Sequence, residues 1–129
     1  MIAVDTNILV RIFVDDPSHQ QQVEKVRKHV HGIKRLYVPQ IVQVEMVWVL
    51  QRAFGLPKPD LLHILDHLRM IRTFVLQRPE AFRAALERFR KENADFADCL
   101  ILQEALDQEA ELLTLDQRLS SLDGVSLLR

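Results

Sequence analysis

The chain has 129 residues, enough for one domain and few for two. Its 17 Lys and Arg residues nearly balance 18 Asp and Glu residues, and the formal charge of −1 neither indicates nor excludes a nucleic-acid partner. The single cysteine, Cys99, excludes an intrachain disulfide and a cysteine-based zinc site. We therefore expect residues 1–129 to form a single domain.

The start of the chain shows no secretory signal, because no basic segment precedes an apolar one. The most apolar stretch, residues 41–50, contains Gln43 and Glu45 and is far too short to span a bilayer. These features predict a cytoplasmic protein with no membrane partner.

Short apolar runs alternate with helical patterns along the whole chain. Strands are predicted at 2–4, 36–38, 73–76, 111–115 and 125–128. Helices are predicted at 7–14, from the turn at 15–18 to about 31, at 41–54, at 59–70, from 79 through 89, and at 96–107. The alternation predicts an α/β fold, a three-layer α/β/α sandwich around a mainly parallel sheet of four to five strands.

Two acids follow predicted strands directly. Asp5 comes after the run Ile-Ala-Val, and Asp116 comes after Leu-Leu-Thr-Leu. Because ligands bind beyond the carboxyl ends of parallel strands, both residues are candidates for a functional site. The alternative for each is that an Asp after a strand starts a turn or caps a helix.

Two further acids lie on predicted helices beside apolar residues. The neighbours of Glu45 at helical spacing are Ile41, Val42, Trp48 and Val49. The polar side of that helix is predicted to run through Gln40, Gln43 and Gln51, away from Glu45. An ionised carboxylate on an apolar face is costly, so Glu45 is predicted to be a metal ligand, with a buried partner of an arginine or a residue at the rim of the core as the alternatives.

Asp98 shares its predicted face with Ile101, Leu102 and Ala105. The alternative here is a capping arrangement, with Asp95 as the N-cap and Asp98 three residues later, where the helix dipole favours both charges. Four inward carboxylates would repel one another, and a divalent ion would relieve that repulsion. An all-oxygen ligand set favours Mg²⁺ or Mn²⁺, which serve phosphoryl-transfer or phosphodiester chemistry.

The chain resembles the PIN-domain family, and within it the VapC-like toxins of toxin–antitoxin pairs. The matching segments are Val4-Asp5-Thr6-Asn7, Val38-Pro39, Val44-Glu45, Trp48-Val49-Leu50, the run from Ala94 to Ile101, and Leu113-Thr114-Leu115-Asp116. The resemblance covers nearly the whole chain in order.

This resemblance implies a Mg²⁺- or Mn²⁺-dependent endoribonuclease that cleaves RNA with a metal-activated water. Its catalytic and metal-binding acids would be Asp5, Glu45, Asp98 and Asp116. Supporting groups around them would be Thr6, Asn7, Asp95 and Thr114. A VapB-like antitoxin and a second copy of the chain are the implied partners, and Cys99 is expected to be a small buried side chain.

Other interpretations remain. One is a catalytically silent PIN-like interaction module; another is a different Mg²⁺-dependent phosphoryl-transfer enzyme, although Thr6-Asn7 after Asp5 does not match the phosphatase pattern. Trp48 is expected in the core or at a dimer interface rather than as a base-stacking platform. Candidate contacts to RNA phosphates are Arg11, Arg52, Lys58, Arg69, Arg72 and Arg118.

Overall fold

Apolar runs of two or three residues form the strands, and the longer amphipathic segments between them form six helices. The computed structural model describes residues 1–129. Its contacts divide the chain into two units, Met1–Gln77 and Arg78–Arg129. No helix combines the length and the apolar character that crossing a membrane requires.

The first unit contains a parallel sheet of three strands. These are β1 (Ile2–Ala3), β2 (Leu36–Val38) and β3 (Phe74–Leu76), hydrogen-bonded in the order β1-β2-β3. Leu36 of the central strand pairs with Ile2 on one side and with Phe74 on the other. All three strands therefore present their carboxyl ends at the same edge of the sheet.

Four helices accompany this sheet: α1 (Thr6–Phe13), α2 (Gln20–Val30), α3 (Gln40–Arg52) and α4 (Lys58–Met70). A short 3-10 turn, Pro17–His19, leads into α2. α1 packs against both α2 and α3. Gly55 adopts φ +61°, which only glycine takes without strain, and the Leu56 N–H bonds back to the Leu50 carbonyl, so α3 ends where the sequence predicts.

The second unit holds the last two helices and a two-stranded parallel sheet. Its elements are α5 (Pro79–Lys91), α6 (Phe96–Asp107), β4 (Leu112–Thr114) and β5 (Val125–Leu127), with a 3-10 turn at Leu119–Ser121. Leu112 pairs with Val125 and Thr114 with Leu127.

Aromatic packing places the start of α6. Phe96, its first residue, is fully buried and meets Phe82 and Phe89 of α5 edge-on, with ring centroids 5.6 and 5.9 Å apart. Such pairs add roughly 0.5–1.5 kcal/mol beyond the apolar area that they bury. Because Asp98 lies two residues after Phe96, this contact also fixes the position of Asp98.

The predicted fold class is confirmed: the chain is α/β, with six helices and parallel strands. The five strands are hydrogen-bonded as a group of three and a group of two. Several strands are shorter than predicted, yet the N–H groups of Val4 and Leu128 still bond to the carbonyls of Tyr37 and Thr114.

The predicted faces of α3 are wrong. Gln43, assigned to the polar side, is fully buried, whereas Ile41 and Trp48, assigned to the apolar side, are exposed. Gln43 is buried because its amide Nε2 donates to the carbonyls of Val38 and Gln77, at 3.2 and 3.0 Å, where β2 and β3 end. A long polar side chain that satisfies strand-end carbonyls can occupy a core position.

Candidate active site

Asp5 follows β1 and occupies the N-cap of α1. Its backbone is extended, and its carboxylate oxygen Oδ1 accepts a hydrogen bond from the Ile8 N–H at 3.0 Å. The capping alternative for this residue is therefore real. Asp5 is nevertheless exposed, and the second carboxylate oxygen remains available at the carboxyl edge of the sheet.

Glu45 is exposed on α3 rather than buried among apolar side chains. The Thr6 hydroxyl, one residue after Asp5, donates to Glu45 Oε1 at 3.2 Å. This bond links the helix that follows β1 to the helix that follows β2 and holds the Glu45 carboxylate near the start of α1. No arginine pairs with Glu45, so the predicted alternative of a buried Glu–Arg pair is wrong.

Trp48 and Arg52 lie beside Glu45 on the same face of α3. The guanidinium of Arg52 stands over the indole ring of Trp48, 5.5 Å from its centre. The three residues line an open hollow of about 280 Å³ together with Val49 and Ala53. Trp48 is 46% exposed, so it is not part of the core of the chain.

Asp98 lies half-buried in the first turn of α6. Burial raises the pKa of the Asp98 carboxyl above its ordinary value of 3.8, and the negative charges of Asp95 and Asp116 raise it further. Asp95 occupies the N-cap position, but its side chain makes no capping hydrogen bond. The predicted capping interaction is therefore absent, and the charges of Asp95 and Asp116 both act on Asp98 within the second unit.

Asp116 follows β4 and shapes the turn after it. Its carboxylate accepts from the N–H groups of Arg118 and Leu119, at 2.8 and 3.3 Å. Its own N–H donates to the Thr114 hydroxyl at 3.0 Å. Both strand-end acids, Asp5 and Asp116, thus satisfy local backbone groups while remaining exposed.

A protein-family model matches most of this chain. The PIN-domain model matches residues 2–125, nearly the whole length of the chain. The chain belongs to the PIN-domain family. PIN domains are in general nucleases that depend on a divalent metal ion, so the chain is an enzyme of nuclease type with nucleic acid as its partner. A search of curated proteins returned no match.

The donor set of this PIN domain suits a hard divalent cation. In each unit taken by itself the candidate acids, Asp5 and Glu45 in the first and Asp98 and Asp116 in the second, offer only oxygen, which Mg²⁺ and Mn²⁺ prefer. A cation would also relieve the repulsion that raises the pKa of Asp98. No three His, Cys, Asp or Glu side chains of the chain form a group that could hold a metal ion in this structure.

The groups expected to support the acids differ in their contacts. Thr6 bonds to Glu45, and Thr114 bonds to the backbone of Asp116. Asn7 is exposed and lines a groove between α1 and α2. Cys99 is fully buried, as predicted.

Sequence reasoning missed that groove, which has a volume of about 460 Å³. The spacing of Gln22, Lys25, Val26 and His29 at i, i+3, i+4 and i+7 could have indicated a single face of α2.

Proposed function

We propose that this PIN domain is a Mg²⁺- or Mn²⁺-dependent endoribonuclease and the toxin of a VapBC-type toxin–antitoxin pair. Asp5, Glu45 and Asp98 act as its main metal-binding and catalytic acids, with Asp116 as the fourth. The nuclease class follows from the family. The choice of RNA and the toxin role rest on the resemblance of the sequence segments around these acids to VapC-like proteins.

One observation carries the proposal: the four acids have no cationic partner in the chain. Some other acids do, since Asp15, Asp16 and Asp107 each pair with an arginine within 3.2 Å, whereas Asp123, an exposed acid that neither follows a strand nor starts a helix, has no such pair. Exposed carboxylates left without a basic partner at strand ends and in a helix start are suited to an external cation. A structural role alone would favour neutralisation by the arginines that the chain supplies elsewhere.

The side chains have separate tasks in this proposal. A divalent ion held by the acids would supply positive charge for the scissile phosphate and acidify a water. Thr6 keeps Glu45 oriented through its hydroxyl, and Thr114 holds the backbone of Asp116. Water adds to phosphorus as the bond to the 3′ oxygen breaks, the proton passes to that oxygen, and the products carry a 5′-phosphate and a 3′-hydroxyl.

The wider assignment is also a proposal. Because the family model runs through both units, we propose that residues 1–129 act as one nuclease domain. We propose a cytoplasmic homodimer that a VapB-like antitoxin inhibits. The exposed Ile41 and Trp48 on α3, 70% and 46% accessible, support a surface that another chain covers.

The test is cleavage of structured and single-stranded RNA by the purified chain, with Mn²⁺ or with EDTA. We expect cleavage that requires Mn²⁺ and yields 5′-phosphate ends. The Asp98→Asn variant should cleave RNA about 100-fold more slowly than wild type, or not at all, because one acid of the site is removed. Asp123→Asn is the matched control, since Asp123 is an exposed acid in the same unit with no assigned role.

Equal activity of Asp98→Asn and wild type would contradict the site assignment. If wild type binds Mn²⁺ but cuts no RNA, the silent interaction module becomes the better interpretation. Metal-dependent cleavage of DNA but not of RNA would support the nuclease assignment and contradict the choice of RNA as the substrate.

A further inference from the structure

The groove between α1 and α2 presents one face of each helix. Its walls are Asn7, Ile8 and Arg11 from α1, and Gln22, Lys25, Val26 and His29 from α2. Gln22 and His29 are seven residues apart, so the α2 wall extends about 10 Å along the helix axis. One nucleic-acid strand carries about one phosphate per 3.4 Å of helix axis, so the groove can accommodate more than one phosphate.

The charge of the groove has a single sign. Its ionisable residues are Arg11, Lys25 and His29, and no acid lines it. The adjoining stretch 25–35 contains five Lys and Arg residues, two His residues and no acid. This basic stretch includes the groove residues Lys25 and His29 and continues beyond the end of α2, in a chain whose net charge is −1.

The cations of the groove differ in how they are held. Arg11 is fixed by Asp16, at 3.2 Å, and by Gln22, whose Oε1 accepts from its Nε at 3.0 Å. Lys25 is exposed and has no carboxylate partner. Lys25, unlike Arg11, can meet a phosphate without first breaking an ion pair, and the Arg11 guanidinium beside it is held in place by Asp16 and Gln22.

The groove also begins beside the candidate acids. Asn7 and Ile8 line the part of the groove nearest in sequence to Asp5. The Ile8 N–H donates a hydrogen bond to the Asp5 carboxylate. Thr6, which precedes Asn7, bonds to Glu45. A strand whose phosphates follow the groove therefore leads directly to Asp5 and Glu45.

We propose that the α1–α2 groove carries the RNA strand next to the scissile phosphate, with Lys25 and His29 as phosphate contacts. The inference rests on the proposed ribonuclease function and adds the path of the substrate. The apolar floor of Ile8 and Val26 packs against ribose or base, while the basic wall binds the backbone. Contacts of this kind set affinity and orientation rather than sequence preference.

Equilibrium binding without metal tests the groove separately from cleavage. A fluorescein-labelled single-stranded RNA is titrated with the full chain in EDTA, between about 50 mM and 200 mM salt. Lys25→Gln should weaken binding about fivefold at 0.1 M salt and reduce the slope of log affinity against log salt by about 0.7, the value for one phosphate on a single strand.

Lys28→Gln is the matched control: it makes the same change on the same helix, at an exposed residue that does not line the groove. It should change the affinity by no more than about twofold, because the Lys28 side chain does not line the groove and an exposed charge without direct phosphate contact acts only through screened solvent. Lys25→Arg keeps the charge and should keep most of the affinity. Thermal unfolding of each variant confirms that the comparison is made on folded protein.

Equal effects of Lys25→Gln and Lys28→Gln, or none, would overturn the proposal and leave the groove to a polypeptide partner. The binding and cleavage results separate the two proposals. If wild type cuts no RNA but Lys25→Gln weakens binding, the ribonuclease assignment fails and the groove assignment stands. If wild type cuts RNA and Lys25→Gln has an unchanged KM, the groove assignment fails alone; the supporting result is a raised KM with an unchanged kcat.

Discussion

At Asp98, the carboxylate lies in the first turn of α6, half-buried, with Asp95 and Asp116 near enough to raise its pKa. The helix N-terminus favours a negative charge there, but burial and the two neighbouring acids oppose it more strongly. A residue whose ionised form is disfavoured in the native chain lowers stability at neutral pH. Its retention is explained if the charge serves a bound cation.

Asp98→Asn should therefore stabilise the metal-free chain at neutral pH. The native pKa of Asp98 lies above the unfolded value of 3.8, so the contribution of Asp98 to stability is fully present below pH 3.8 and is lost as the pH rises through the native pKa. Because Asn does not titrate, the stability of the Asp98→Asn variant relative to wild type increases as the pH rises through the native pKa of Asp98. Urea unfolding in EDTA at a series of pH values measures the difference, and an Asn variant less stable than wild type at pH 7 would contradict it.

Among the helices, α1 and α3 show how a single element can combine structural and catalytic requirements. Asp5 caps α1 with one carboxylate oxygen, while Thr6 in the first turn reaches Glu45 on α3. α3 satisfies the ends of β2 and β3 through Gln43 on its buried side and exposes Glu45 on the other. The two helix starts at the carboxyl edge of the sheet thus determine where these two acids stand.

The capping role of Asp5 separates stability from activity. Asn caps a helix about as well as Asp, so Asp5→Asn should unfold close to wild type and lose cleavage. Asp5→Ala also loses the bond to the Ile8 N–H and should cost about 1 kcal/mol. Thermal unfolding in EDTA compares them. Equal losses of stability for Asn and Ala would show that the cap contributes little.

On the scale of the whole molecule, the four acids are distributed over both units, and the family model spans both. If one metal site uses acids from each unit, metal binding must stabilise the chain as a whole. A ligand that binds only the native state adds RT ln(1 + [L]/Kd) to the free energy of unfolding.

Mn²⁺ at 100 times its Kd should therefore stabilise wild type by about 2.7 kcal/mol, and EDTA should reverse the effect. Each of Asp5→Asn, Glu45→Gln, Asp98→Asn and Asp116→Asn should reduce it, whereas Asp123→Asn should not. Thermal unfolding with and without Mn²⁺ measures the gain. If only the variants of one unit reduce it, the acids do not share a site.

The sequence by itself determined the element order and the chemistry of the candidate acids. Residues 96–107 form a helix with the predicted ends, because a polar start and an apolar interior are local properties. The turn at Gly55 was equally predictable, since its conformation is a property of glycine. The acid-bearing segments carried the family resemblance that the PIN model then matched.

Only the tertiary structure decided which side of each helix is buried. Helical spacing placed Gln43 on the polar side, and this was wrong because the carbonyls at the ends of β2 and β3 accept hydrogen bonds from its interior amide. Of the two places predicted for Trp48, the core is excluded by its exposure, and a dimer interface stays a prediction. The groove between α1 and α2 could not be predicted from the sequence either, since its walls come from two helices. The elements that pack against a helix determine which of its residues are buried. The sequence pattern of that helix alone does not show which elements those are.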